Sequence, residues 1–262
     1  MKEEDFSNLK DVKRIVAVAS GKGGVGKSTV AAALVYRLKE KGFKTAIFDA
    51  DIYGPSQHII WDIDNLQPEV IPIGETEHFV PIEKNGVKIM SIGCMIDPSQ
   101  PLIWRGPAAS KGIQQLLGQT FWQDLDVLVV DLPPGTGDIA LTLVQSLKID
   151  GALIVTTPQR LSQSDVQKAV MMFKNEHISV PLLGIVENMS YFTPPQHPEE
   201  KYLIFGEGGG DYLADFFKTD LLCKAPIVEE GFIDKAKTNP LFQINESEFS
   251  EMTEKIIKKL NL

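Results

Sequence analysis

Short apolar runs recur along the chain with helix-like stretches between them. The runs are "RIVAVAS" from Arg14, "KTAIFDA" from Lys44, "VKIMSIG" from Val87, "DVLVVDL" from Asp126, "GALIVTT" from Gly151 and "PLLGIVEN" from Pro181. Runs this short and this continuously apolar predict strands buried on both faces, and helices between them make βαβ units with a parallel sheet. "KSTVAAALVYRLKEKG" is apolar on one face and closes on Gly42, a residue type that ends helices. "SDVQKAVMMFKNEH" opens on a Ser-Asp capping signal at Ser164 and Asp165 and places Val166, Val170 and Phe173 on one stripe.

Two segments break the alternation. Residues Ile52 to Pro81 are rich in proline, glycine and acids, and Tyr191 to Gly210 hold "TPPQHPEEKY" and "FGEGGG". Both read as long loops, which inside a compact domain are functional or disordered. Near the C-terminus, "FSEMTEKIIKKLNL" puts Phe249, Met252, Ile256 and Leu260 on one helical face. Such a face packs on a sheet or lies on a membrane, and packing is the commoner use. With no repeat and no domain boundary in the pattern, the expectation is one α/β domain over residues 12–262 after a tail of residues 1–11. Its mostly parallel central sheet carries helices on both faces.

Composition narrows the partners. In 262 residues, 35 Asp and Glu outweigh 26 Lys and Arg, a formal charge of −9. That is the opposite of what a phosphate backbone attracts, so nucleic acid is not an expected partner. Two cysteines, Cys94 and Cys223, are too few for a disulfide framework and fit a reducing compartment. The start, "MKEEDFSNLKD", has no apolar h-region, and no apolar stretch is long enough to span a bilayer. A soluble cytoplasmic protein is expected, with no membrane partner.

The chemistry begins where the first run meets its helix. Gly21-Lys22-Gly23-Gly24-Val25-Gly26-Lys27-Ser28 satisfies G-x-x-x-x-G-K-[ST] between a strand and a helix, the context a phosphate loop requires. This makes the fold class that of a P-loop NTPase. The glycines let backbone N–H groups of the loop, through Thr29, face phosphates at a positive helix end. Lys27 faces the β- and γ-phosphates of ATP, and the Ser28 hydroxyl is a ligand for Mg²⁺. Asp49 and Asp51 close the second run at i, i+2, on the same side of the chain, and strand carboxyl ends face the ligand crevice. One of these two aspartates is the candidate to orient an attacking water and the other to support the magnesium shell; a strand-end aspartate can also simply cap a turn. "VLVVDLPPGTGD" ends a buried run in Asp131, of Walker B form, which would hold a magnesium-bound water. Gly135 is the candidate to turn an N–H toward a γ-phosphate, and Asp138 to cap the next helix.

An ordinary phosphate loop needs one lysine, and "GKGGVGKST" has a second, Lys22, at its start. The loop resembles the deviant Walker A of the SIMIBI-class ATPases, the group of MinD, ParA, ArsA and Mrp. The resemblance implies an ATP-dependent homodimer in which Lys22 reaches the partner's nucleotide, Asp51 positions water, Asn188 of "GIVENMS" bonds adenine and Pro226 of "KAPIVEEG" stacks on it. As a strand-end residue, Asn188 could also be only a turn former. In order, "VASGKGGVGKSTVA", "DADIYGPS", "WRGPAASKGIQQLL", "VVDLPPGTGD", "VTTPQ", "NMSYF" and "FGEGGG" resemble the Mrp/ApbC subfamily of iron-sulfur cluster carrier ATPases. That implies an iron-sulfur cluster as cargo and iron-sulfur client or donor proteins as partners. The contrasting reading is a MinD/ParA-like positioning ATPase acting on membrane or nucleoid.

Two departures follow. Many members of the subfamily carry a small extra N-terminal domain, whereas residues before Val12 read here as a tail. Members also place Cys-x-x-Cys directly after "NMSYF", where this chain has "TPPQHPEE" with Pro194 and His197. Clusters require soft thiolates, so direct ligation here is in question, with His197 the remaining candidate in that loop. Cys94 and Cys223 read as small core hydrophobes. A nitrogenase-reductase-like electron carrier would need a cysteine in the loop after Asp131, and there is none. Trp104 and Arg105 of "WRGP" have no assigned role.

Overall fold

The computed structural model describes residues 3–95, 106–159, 161–175, 178–228 and 245–262. Strands β1 (Val12–Ser20), β2 (Thr45–Asp49), β3 (Glu69–Ile73), β4 (Thr76–Val80), β5 (Ile82–Lys84), β6 (Val87–Ser91), β7 (Leu125–Asp131), β8 (Gly151–Thr156), β9 (Leu182–Glu187) and β10 (Leu221–Lys224) follow in chain order. The helices are α1 (Lys27–Glu40), α2 (Gln57–Ile60), α3 (Gly106–Gln119), α4 (Asp138–Ser146), α5 (Leu161–Phe173), α6 (Gly209–Phe217) and α7 (Glu246–Leu260). An eight-stranded sheet runs β10-β9-β8-β1-β7-β2-β6-β5, parallel except for the β5–β6 edge hairpin. All six apolar runs are strands of it.

Alternating side chains feed two cores. Val16 and Val18 of β1, Ile47 of β2 and Val127 and Val129 of β7 face one side, packed with α1 and α7. Ala17, Ala19, Phe48, Leu128 and Val130 face the other, packed with α3, α4, α5 and α6. Helices therefore cover both faces, which is why these strands carry no polar alternation.

Four features differ from the sequence expectation or complete it. Residues 52–81 are not simply a loop. They hold α2 and a β3–β4 hairpin closed by Gly74 (φ +65°) and Glu75. The hairpin strands bury no full face, so no apolar alternation marks them, and the glycine-first two-residue turn was the available signal. Helix α5 starts at Leu161, so Ser164 and Asp165 lie inside it rather than at its cap. A Ser-Asp pair suits a solvent-facing position near a helix start as well as a cap, so it misplaces the boundary by about one turn. Helix α1 is buried all round from Val30 to Leu38, because it is sandwiched between the sheet and α7. Buried Arg37 within it pairs with Glu40 at 2.5 Å and Glu246 at 3.4 Å. In α7, Phe249, Met252, Ile256 and Leu260 are all buried against that same layer, so the apolar face is covered by the protein itself.

Before Val12, residues Glu3–Leu9 form a 3-10 helix, and the Asn8 amide donates to the Leu117 and Thr120 carbonyls at 2.9 and 2.7 Å. Among the described residues, no helix is long and apolar enough to cross a membrane. Trp104 and Arg105 lie outside the described residues.

Candidate functional site

The site lies at the carboxyl ends of the central parallel strands. β1 sits between β8 and β7, and its continuation, residues 21–26, turns into α1. The turn depends on glycine in two ways. Gly26 caps α1 at φ +81°, a left-handed conformation that other residues adopt only with strain, and a Cβ there would lie 2.2 Å from the Asn188 amide nitrogen. A Cβ on Gly21 would meet the backbone of Asp165 and Val166 in α5 at 2.4 Å. α1 thereby starts at Lys27 with no side-chain cap, leaving its first N–H groups for a ligand.

Two lysines face this end differently. Lys27 is 6% exposed, and its Nζ donates to Asp131 Oδ1 at 2.5 Å and to Ser28 Oγ at 3.3 Å. Lys22 is half-buried, its Nζ donating to Gln159 Oε1 at 3.0 Å across the loop after β8.

Register places the carboxylates. Asp49 and Asp131 are direct neighbours on β2 and β7 and are fully buried. Asp49 accepts four hydrogen bonds: from the N–H groups of Asp51 (3.2 Å), Ser56 (2.9 Å) and Gln57 (3.0 Å) and from Ser91 Oγ (2.9 Å). Burial, and next the Asp131 charge, push its pKa up to about 7, against those hydrogen bonds and the charge of Lys27. Asp49 thus organises the backbone of residues 51–57. Asp51 is half-buried and raised by burial, with Lys27 pulling the other way. Its Oδ1 accepts from the Gly54 N–H at 3.2 Å.

The side chain that joins these groups, Gln57, was not a sequence candidate. It is fully buried, and its amide reaches Asp131 Oδ2 at 2.8 Å and the Ser28 carbonyl at 3.0 Å. The i, i+4 spacing of Gln57 and Trp61 is the one sequence signal that could have suggested a polar pair on α2.

Lys22, Lys27, Ser28, Thr29, Asp51 and Pro134 converge on a cavity of about 270 Å³. A larger groove of about 810 Å³, between α3, α4 and Phe6, contains none of the phosphate-loop residues; the smaller cavity is the candidate site because the charged groups meet there. Around it, the Gly135 N–H donates to the Ser20 carbonyl at 2.8 Å, so facing a γ-phosphate would require that bond to open. Asp138 is the first residue of α4, and Gly137 is its cap. Asn188 is buried with its amide on the Val25 carbonyl at 3.0 Å, which ties the end of β9 to the phosphate loop. Pro226 is half-buried, and its carbonyl accepts from the Asn245 amide at 3.0 Å.

The 191–206 loop lies beyond Asn188, pinned by Phe192 and Tyr202, whose backbones exchange hydrogen bonds of 2.9 and 2.8 Å. Ligand atoms of exposed His197, Glu199 and Glu200 gather within 4.8 Å of one another, a set of imidazole and carboxylates without sulfur. Both cysteines are buried elsewhere, and burial pushes Cys94 up to about 11 and Cys223 up to about 12.

Comparison with known proteins shows the family. The family described as ParA, NUBPL iron-transfer P-loop NTPase, matches residues 11–261. An iron-sulfur cluster carrier protein of Pseudomonas fragi is 48% identical over 229 residues, covering 87% of this chain and 78% of that protein. A protein of the same description from Aquifex aeolicus is 45% identical over 232 residues, and the match covers 88% of this chain but 62% of that protein's length. Among solved structures, a nucleotide-binding protein of Archaeoglobus fulgidus in complex with ADP has a TM-score of 0.74 and 35% identity, covering 95% of this chain and 93% of its own.

Proposed function

The chain belongs to the family of NUBPL iron-transfer P-loop NTPases of ParA type, and from that premise we propose that it is an ATP-hydrolysing homodimer that carries or helps assemble iron-sulfur clusters. The observation that carries the reading is the convergence of Lys22, Lys27, Ser28 and Asp51 on one cavity at the start of α1. ATP is the substrate. Its phosphates fit the free N–H groups of the loop and first helical turn, and Lys27 turns from Asp131 to the β- and γ-phosphates. The oxygen donors Ser28, Asp131 and Asp51, backed by Asp49, are the hard set that Mg²⁺ prefers. When bound, the ion offsets charge developing on the phosphates.

Asp51, at the cavity wall, orients the attacking water for in-line displacement. Lys22 leaves Gln159 to reach the nucleotide of a second copy, so hydrolysis requires the dimer. Asn188 and Pro226 line the adenine side. The cluster is cargo. With Pro194 and His197 in place of a Cys-x-x-Cys pair, its thiolates come from client or donor proteins, and the 191–206 loop is a docking surface.

Steady-state ATP hydrolysis tests the reading. Asp51→Asn is expected to bind ATP normally and lose turnover, because water positioning acts in the transition state alone. Lys22→Ala is expected to bind ATP but neither dimerise, by light scattering, nor hydrolyse. Normal turnover in either variant refutes the role assigned to that residue.

A further inference from the structure

Gln57 has every polar atom engaged by a different part of the site. Its Nε2 donates to Asp131 Oδ2 at 2.8 Å and to the Ser28 carbonyl at 3.0 Å, while Oε1 accepts from Trp61 Nε1 at 3.1 Å. An indole N–H is only a donor, so Trp61 fixes which way the amide faces: oxygen toward the indole, nitrogen toward the carboxylate. The reverse orientation would set two oxygens against each other at Asp131 and two N–H donors against each other at Trp61. The backbone N–H of Gln57 also donates to Asp49 at 3.0 Å. One residue therefore bonds both buried carboxylates and the first turn of α1, and it supplies only neutral donors. Gln57, Trp61 and both carboxylates are buried, where an unpaired polar atom is costly.

Asp131 is held from two sides, by Lys27 on Oδ1 and by Gln57 on Oδ2. In the reaction proposed above, Lys27 turns to the phosphates and releases Oδ1. Gln57 has no such second partner in the cavity, whose walls do not include it. We propose that Gln57 is a positioning residue of the phosphoryl-transfer site: it keeps Asp131 Oδ2 fixed to α1, so that Oδ1 faces the magnesium position once Lys27 has left. This rests on the nucleotide reading of the site, and it assigns to a neutral amide the orientation of the metal-facing carboxylate.

The test separates magnesium-dependent from magnesium-independent binding. Gln57→Met keeps the volume and removes both donors; Trp61→Phe keeps Gln57 and releases its oxygen. Affinity for a fluorescent ADP analogue would be measured with and without magnesium chloride, alongside kcat and KM for ATP and a thermal melt. Gln57→Met is expected to bind the analogue without magnesium within about threefold of wild type, to lose about tenfold of the magnesium enhancement, and to lose about ten- to hundredfold in kcat, the loss of a hydrogen bond to a charged group. Trp61→Phe is expected to fall in the same direction by less. A residue that served packing alone would weaken both binding conditions equally. An unchanged magnesium enhancement in the folded variants overturns the proposal, and if Gln57→Met does not fold, Trp61→Phe decides. If wild type binds nucleotide but does not hydrolyse ATP, the hydrolysis reading fails while the magnesium response still tests Gln57.

Discussion

Replacing Lys27 by methionine removes one half of a buried ion pair. Nζ lies 2.5 Å from Asp131 Oδ1, and the two side chains are 6% and 0% exposed. The carboxylate left behind has Asp49 as its neighbour in register, so two buried acids face each other with no cation. Breaking a buried pair from one side costs about 3–5 kcal/mol, because the remaining charge stays desolvated. Removing both charges is different: the double variant Lys27→Met/Asp131→Asn is expected to recover to within about 1–2 kcal/mol of wild type. The deficit also has a pH dependence whose sign the structure sets. The folded-state pKa of Asp49, about 7, lies above the ordinary carboxylate value, so across that window the folded protein keeps a proton that the unfolded chain releases. Stability from this group therefore falls as pH rises from the ordinary carboxylate range to about 7. Lys27 pulls Asp49 downward, so its loss widens the window, and the deficit of Lys27→Met is expected to be larger at pH 8 than at pH 5. Urea unfolding of wild type, both single variants and the double variant at the two pH values measures this. A Lys27→Met protein as stable as wild type at pH 8, or a double variant no more stable than Lys27→Met, refutes the reasoning.

Two further outcomes are expected. The thiols of Cys94 and Cys223, held protonated at pKa values of about 11 and about 12 by burial, should not react with a disulfide reagent at pH 8 in the native protein, and both should react in denaturant; rapid native labelling would show that one is accessible. After anaerobic reconstitution, the loop around His197 should retain no stable [4Fe-4S] cluster while nucleotide binding is intact; Mössbauer spectra with about four irons per dimer, lost in His197→Ala but kept in Cys94→Ala and Cys223→Ala, would establish an unusual ligand set instead.

The central strands were legible because a parallel sheet covered on both faces needs continuous apolar runs, and the phosphate loop because its glycines and lysine are adjacent in the chain. Local adjacency is what a sequence records well. The β3–β4 hairpin left little trace because neither strand buries a full face, and the start of α5 was misplaced because its Ser-Asp pair is compatible with either side of the boundary.

The amino-acid order alone determined the α/β class, the loop at Gly21 to Ser28 and the strand-end placement of Asp49, Asp51 and Asp131. Only the tertiary structure decided what those carboxylates touch. Strand order brings β7 beside β2 although they are far apart in the chain, and that puts Asp131 in register with Asp49 and within reach of Lys27 and Gln57. The i, i+4 spacing to Trp61 hints at a polar pair but not at what else Gln57 bonds; its role comes from the hydrogen bonds that surrounding elements leave unmet, and those exist only once the chain has folded.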